Sequence, residues 1–138
     1  MSEDNQQYAY FTITGSFEPE EITRRVGVEP TESWRKGEVH PKNQRKRKFS
    51  RWSLASRLDR SAELEAHIRD VLVQVDQKPA EFQSVSREYG GRMQLVGYWN
   101  NLYPGLYLDQ SLVESLARYA LSVDFDFYYL YSDGREDT

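Results

Sequence analysis

The chain has 138 residues, a formal net charge of −4, 38% hydrophobic and 14% aromatic residues, the make-up of one folded domain rather than a disordered chain. It contains no cysteine and two histidines, which excludes disulfides, thiolate metal sites and cysteine nucleophiles and leaves little for a histidine relay. No apolar run approaches a membrane span and the start, MSEDNQQ, is polar and acidic, so no signal peptide is expected and the cytoplasm is the expected location.

Residues 8–14, YAYFTIT, are β-branched and aromatic and predict a strand ended by Gly15-Ser16. Pro19 suits the first turn of a helix, Glu20 and Glu21 favour its positive end, Arg24 and Arg25 its negative end, and Gly27 its stop. Residues 31–48 have no apolar periodicity and carry Gly37, Pro41 and Asn43, so a long basic loop is expected there. Residues 49–55, FSRWSLA, predict a second strand. Ser61 is the expected cap of a helix in which Leu64, Ile68, Val71, Leu72 and Val75 form one stripe. Pro79 opens a shorter helix with Phe82, Val85 and Tyr89 aligned, ended by Gly90-Gly91. Residues 92–99 alternate as a strand, 100–104 read as a turn and 105–108, GLYL, as a short strand. Asp109 caps a helix with Leu112, Val113, Leu116, Ala117 and Ala120 on its apolar face. Residues 122–130 alternate Val123, Phe125, Phe127 and Tyr129 against Asp124, Asp126 and Tyr128. The first seven residues and 131–138 read as frayed ends.

The expected fold is α+β: a ferredoxin-like β-α-β-β-α-β unit from residue 49, preceded by an extra strand and helix, in a mostly antiparallel five-stranded sheet with helices on one face. The expected core packs Leu64, Ile68, Leu72, Leu112 and Leu116 on Trp52, Leu54, Phe125 and Phe127.

Charge is unevenly placed. Residues 35–51 hold eight Lys or Arg against Glu38, a net +7 that leaves −11 for the rest of the chain. Within and beside this block lies an aromatic–basic group: Trp34, Arg35, Lys36, His40, Arg45, Lys46, Arg47, Lys48 and Trp52. It can grip phosphates and stack a base, dock an acidic protein, or form a solvated loop anchored by its tryptophans. Asp124 and Asp126 share one strand face with carboxylates roughly 6–7 Å apart. They suit cation binding or acid–base work, or else the polar face of a strand paired with Arg51 across the sheet. Gln94, Tyr98 and Tyr128 belong to the same expected open face, where tyrosines suit an interface. His67 reads as a hydrogen-bonded histidine at the edge of its helix stripe and His40 as solvated. No zinc spacing, G-x-S-x-G elbow or glycine-rich phosphate loop occurs, so neither metal nor cofactor is expected.

The stretch F-E-P-E-E-I-T-R-R-V-G-V-E-P-T at 17–31, followed by Lys36-Gly37, W-S-L at 52–54, E-A-H-I at 65–68 and D-F-D-F-Y at 124–128, resembles the bacterial family catalogued only as domain of unknown function 4279. The resemblance covers roughly residues 8–130 and implies a small single-domain protein with no catalytic set to carry over. Together these readings favour a binding module over an enzyme. Its expected partner is another protein, either a cationic one to be neutralised or a second copy in a homodimer. Nucleic-acid binding through 35–51 is the alternative, and an enzyme using Asp124 and Asp126 a third.

Overall fold

The computed structural model describes residues 5–101 and 105–130. Its elements are β1 (Gln6–Gly15), α1 (Pro19–Val26), β2 (Glu32–Trp34), β3 (Ser50–Ala55), α2 (Leu64–Val75), α3 (Pro79–Tyr89), β4 (Arg92–Trp99), α4 (Gln110–Arg118) and β5 (Ser122–Tyr129). The strands form one mixed sheet in the order β2-β3-β1-β4-β5. Neighbours are antiparallel except β4 and β5, which run parallel. A parallel pair needs a crossover of a dozen residues or more, and α4 lies in the segment that supplies it.

Local chemistry sets the helix ends. Pro19 occupies the first turn of α1, and Gly27 ends it at φ 68° with its N–H donated to the Thr23 carbonyl. Asp109 accepts the Leu112 N–H at 2.9 Å and caps α4. Ser61 does not cap α2. The N-cap is Glu63, without a side-chain bond, while the Ser61 N–H is held by Asp59 in the preceding turn.

Odd-numbered positions of β1 and the matching side of β3 and β4 enter the core: Phe11, Ile13, Trp52, Leu54, Met93 and Leu95. The apolar stripes of all four helices join the same cluster, so the helices share one side of the sheet. Leu64, Ile68, Leu72, Leu112, Leu116, Trp52 and Leu54 all meet there, and Phe127 packs against it partly buried. Phe125 does not: it sits on the edge strand and remains 52% exposed. Gly97 shows why β4 needs a glycine. A Cβ there would stand 2.3 Å from the buried indole of Trp99, which folds back over it.

Two strand expectations change places. Residues 105–108 form no strand. Leu106 and Leu108 are anchors packed against the core, and the Tyr107 N–H between them bonds to the Glu65 carboxylate at 3.0 Å. The missing fifth strand is β2, inside the stretch expected to be loop. From β3 onward the order is therefore β-α-α-β-α-β. At the N-terminus β1 already begins at Gln6, and the other residues expected to fray, 1–4 and 131–138, lie outside the described residues, as do 102–104 of the expected turn.

The rest of the basic stretch folds into a small hairpin. Val39 bridges Lys46, and backbone bonds run from Gly37 to Arg47, Arg47 to Glu38 and His40 to Arg45 at 2.7–2.8 Å. Lys42, Arg45, Lys46 and Lys48 stay exposed on it. Limited trypsin digestion should therefore cut first at these residues at the hairpin tip and outer strand. First cuts at Arg69 or Arg87, on the helices, would place the weakest segment elsewhere.

Candidate functional site

The sheet's second face carries no helix. By register it presents Glu32 and Trp34 of β2, Arg51 and Ser53 of β3, Tyr8, Tyr10 and Thr12 of β1, Gln94, Val96 and Tyr98 of β4, and Asp124, Asp126 and Tyr128 of β5. Long side chains at Tyr8, Tyr10 and Arg51 lie over smaller ones, so Thr12, Ser53, Gln94 and Val96 are buried beneath. Thr12 and Ser53 satisfy each other at 2.9 Å, and Gln94 donates to the Asp124 carbonyl at 3.4 Å.

Rings and cations alternate along one half of this face. Arg47 lies 3.6 Å over Trp34, Arg51 lies 5.4 Å from Trp34 and 5.6 Å from Tyr10, and Arg60 lies 4.3 Å over Tyr8. Tyr8 and Tyr10 stack at 6.1 Å. Arg51 also donates to Thr12 Oγ1 at 3.1 Å and to the Tyr10 hydroxyl at 3.3 Å. It is thus committed to the β1–β2 side, with β1 and β4 between it and β5, and does not pair with Asp124 or Asp126 across the sheet.

The other half is acidic. Tyr98 and Tyr128 stack across β4 and β5 with ring centroids 5.1 Å apart and planes 14° apart. Hydrogen bonding to the Asp126 carboxylate, helped by burial, pushes the Tyr128 phenol up to about 12. Burial, then the neighbouring Tyr98, raises the Tyr8 phenol as well, so Tyr8 joins the two halves.

The candidate residues consequently divide into two groups at opposite edges of the sheet. Trp34 and the basic hairpin sit at the β2 edge; Tyr98, Asp124, Asp126 and Tyr128 sit at the β4–β5 edge. Arg35 is neutralised by Glu18 at 2.6 Å and Glu20 at 2.8 Å. Lys36 is exposed beside Ser16, and its N–H bonds to Ser50 Oγ at 2.9 Å. Arg47 is spent on Trp34. Arg45, Lys46 and Lys48 make no ion pair among the described residues. Trp52 leaves the group altogether: it is buried in the core, facing the helices. His40 is half-buried in the hairpin, where Nδ1 accepts the Lys42 N–H at 3.0 Å. Sequence reasoning passed over Tyr8, Tyr10, Glu32 and Arg60. The two tyrosines were visible as an i, i+2 pair on one strand face, whereas Arg60 lies in a linker without any period.

Behind this face His67 is fully buried, not at a boundary, with Nδ1 2.6 Å from Ser56 Oγ. The Ser56 oxygen also accepts the Leu58 N–H at 3.1 Å, so the pair braces the turn after β3. Burial pulls the His67 pKa below its ordinary value, with Asp59 and Asp70 acting against the shift. The folded state then binds fewer protons than the unfolded state below about pH 6.5. Its contribution is present above that pH and is lost as pH falls through the folded pKa. Denaturant titrations from pH 7.5 to 5 should show the wild type losing stability and His67→Gln losing less; parallel curves would remove His67 from the account. Among the described residues no three His, Asp or Glu side chains gather as a metal site.

No curated protein and no solved structure matches the chain. A family model does match, over residues 5–130, which include every element of the sheet and all four helices. The chain belongs to the family described as a domain of unknown function, DUF4279.

Proposed function

We propose that this chain is a bacterial, cytoplasmic binding module rather than an enzyme, and that it docks another protein on the helix-free face at β4 and β5. The observation that carries the reading is the stacked Tyr98–Tyr128 pair with Asp124 and Asp126 on the same face. Tyrosines give contact area at low entropic cost, and the carboxylates favour a cationic surface that the module would neutralise. A second copy is one such surface, because the hairpin cations Lys42, Arg45, Lys46 and Lys48 lie at the opposite edge and a twofold pair would bring hairpin to acidic edge twice. The ferredoxin-like likeness belongs to this reading too. β3 and β4 flank β1, are both antiparallel to it and are joined through α2 and α3, a split crossover of that kind.

Light scattering together with affinity capture tests the proposal. Asp126→Lys and Tyr128→Ala should each release the captured partner, or dissociate the dimer, while leaving the fold intact. If every captured partner remains bound to both variants, the face is structural and the reading fails. Nucleic-acid binding through 35–51 is the second reading, favoured by hairpin cations that make no ion pair among the described residues and opposed by the occupied Trp34 face and the neutralised Arg35. Replacing Arg45, Lys46, Arg47 and Lys48 with Gln should then flatten a steep salt dependence. Tight RNA binding at physiological salt, lost in that variant, would reverse the order of the two.

A further inference from the structure

We infer that β5 is a pairing edge for a second copy of this chain: two β5 strands join antiparallel about a twofold axis at Phe127, and the two sheets become one. The inference does not rest on the face-docking reading, which uses side chains of the helix-free face, whereas here the backbone edge of the strand makes the contact. β5 ends the sheet, with β4 as its one strand neighbour among the described residues. The Ser122 N–H donates to the Gly91 carbonyl at 3.1 Å and the Leu130 N–H to the Trp99 carbonyl at 2.8 Å, so the even-numbered residues turn their backbone groups towards β4. By alternation Phe125, Phe127 and Tyr129 turn theirs towards the outer edge.

This edge lacks the devices that normally keep sheet edges apart. Its 8 residues pair one to one with β4 without a bulge, and none of them is Lys, Arg or Pro. The opposite edge, β2, is blunted by its length of 3 residues. Phe125, Tyr128, Tyr129 and Leu130 are all exposed, which concentrates large side chains at the β5 edge.

Charge selects the register. A twofold axis between two antiparallel copies of a strand sets one residue opposite its own copy. An axis at Asp124 or Asp126 would face that carboxylate with itself, and an axis at Phe125 would set Asp124 opposite the partner's Asp126 twice. Like charges directly opposite each other destabilise a strand pair. An axis at Phe127 avoids this and still pairs the strand from Asp124 to Leu130: Asp126 falls opposite the partner's Tyr128, and Asp124 opposite the partner's Leu130. An axis at Tyr128 avoids it too but shortens the paired stretch to 126–130. With the axis at Phe127, Phe125 stands opposite the partner's Tyr129 and Phe127 opposite its copy, so the residues with outward backbone groups meet as hydrogen-bonded pairs and add aromatic pairs across the seam.

The chain has no cysteine, so introduced thiols report the register directly. Hydrogen-bonded opposite residues have Cα atoms about 5.5 Å apart, within disulfide reach. Oxidising a mixture of Phe125→Cys and Tyr129→Cys chains should therefore give a crosslinked pair of the two. Phe125→Cys alone should not crosslink, because the register offsets its two copies by roughly 13 Å along the strands. Light scattering should find a wild-type dimer that forms as concentration rises. Phe125→Pro removes an outward N–H and leaves the β4 ladder whole, so it should abolish the dimer without changing the circular dichroism spectrum. Phe125→Lys keeps the backbone, charges the edge and should weaken the dimer about tenfold or more. Replacing Lys42, Arg45, Lys46 and Lys48 with Gln should leave the dimer whole, which separates it from a pairing of hairpin with acidic edge. A monomer at every concentration, a dimer lost in the hairpin variant but kept in Phe125→Lys, or crosslinking of Phe125→Cys by itself overturns the assignment. Capture of another protein by a strictly monomeric chain would sink this inference and leave the face-docking reading standing.

Discussion

Trp52→Ala should lower the stability of the protein by about 3–5 kcal/mol, measured by chemical denaturation, because it removes a large side chain that no other residue can replace by collapse. Trp52 is fully buried. Its ring stands edge-on to Phe11 at 6.1 Å and tilted to Phe82 at 6.0 Å, so β3, β1 and α3 all lose a partner at once. Its Nε1–H also donates to Thr23 Oγ1 at 3.0 Å, and Thr23 in turn donates to the Pro19 carbonyl at 3.3 Å. Truncation leaves that hydroxyl one donor short and loosens α1 from the sheet. Small domains hold only about 5–15 kcal/mol in total, so Trp52→Ala risks partial unfolding at room temperature. Trp52→Phe keeps most of the packing, loses the donor, and should cost less than Ala. A loss below about 1 kcal/mol for Ala would contradict the placement of this ring at the centre of the core.

The tryptophan was legible as an inward strand residue from the alternation of Trp52 and Leu54, and the helices were legible for similarly local reasons. Pro19 and Gly27 bracket α1, and Asp109 caps α4, because these residues act through their own backbone and its nearest neighbours. Features that depend on distant partners were not legible. β2 spans three residues, too few for any period, and exists because Ser33 and Trp34 find Trp52 and Arg51 beside them. Gly-Leu-Tyr-Leu at 105–108 alternates like a strand, yet its leucines are anchors against the core. The charge block read as a long basic loop, but Arg35 and Arg47 are absorbed by Glu18, Glu20 and Trp34, all outside the block. The acidic β4–β5 group followed from alternation alone. That it stands at the far edge from the basic hairpin follows from strand order, which local pattern does not encode.

Ile68→Ala should cost about 2–5 kcal/mol, and Ile68→Val only about 0.5–1.5 kcal/mol, if α2 presents the face described above. Ile68 is fully buried in the middle of the stripe Leu64, Val71, Leu72 and Val75, and α2 packs mainly on β1, the central strand. A cavity there cannot be filled from solvent-facing residues, since the strand beneath is locked between β3 and β4. The ratio between the two variants separates packing from helix propensity, because alanine is the better helix former and would otherwise stabilise. A near-zero loss in the alanine variant would mean the stripe faces elsewhere. The same substitution also distinguishes core from site. Ile68 lies on the helix side of the sheet, while Tyr98, Asp126 and Tyr128 lie on the other. The folded fraction of Ile68→Ala should therefore bind any partner of that face with wild-type affinity, whereas Asp126→Lys should reverse the pattern, sparing stability and losing the partner.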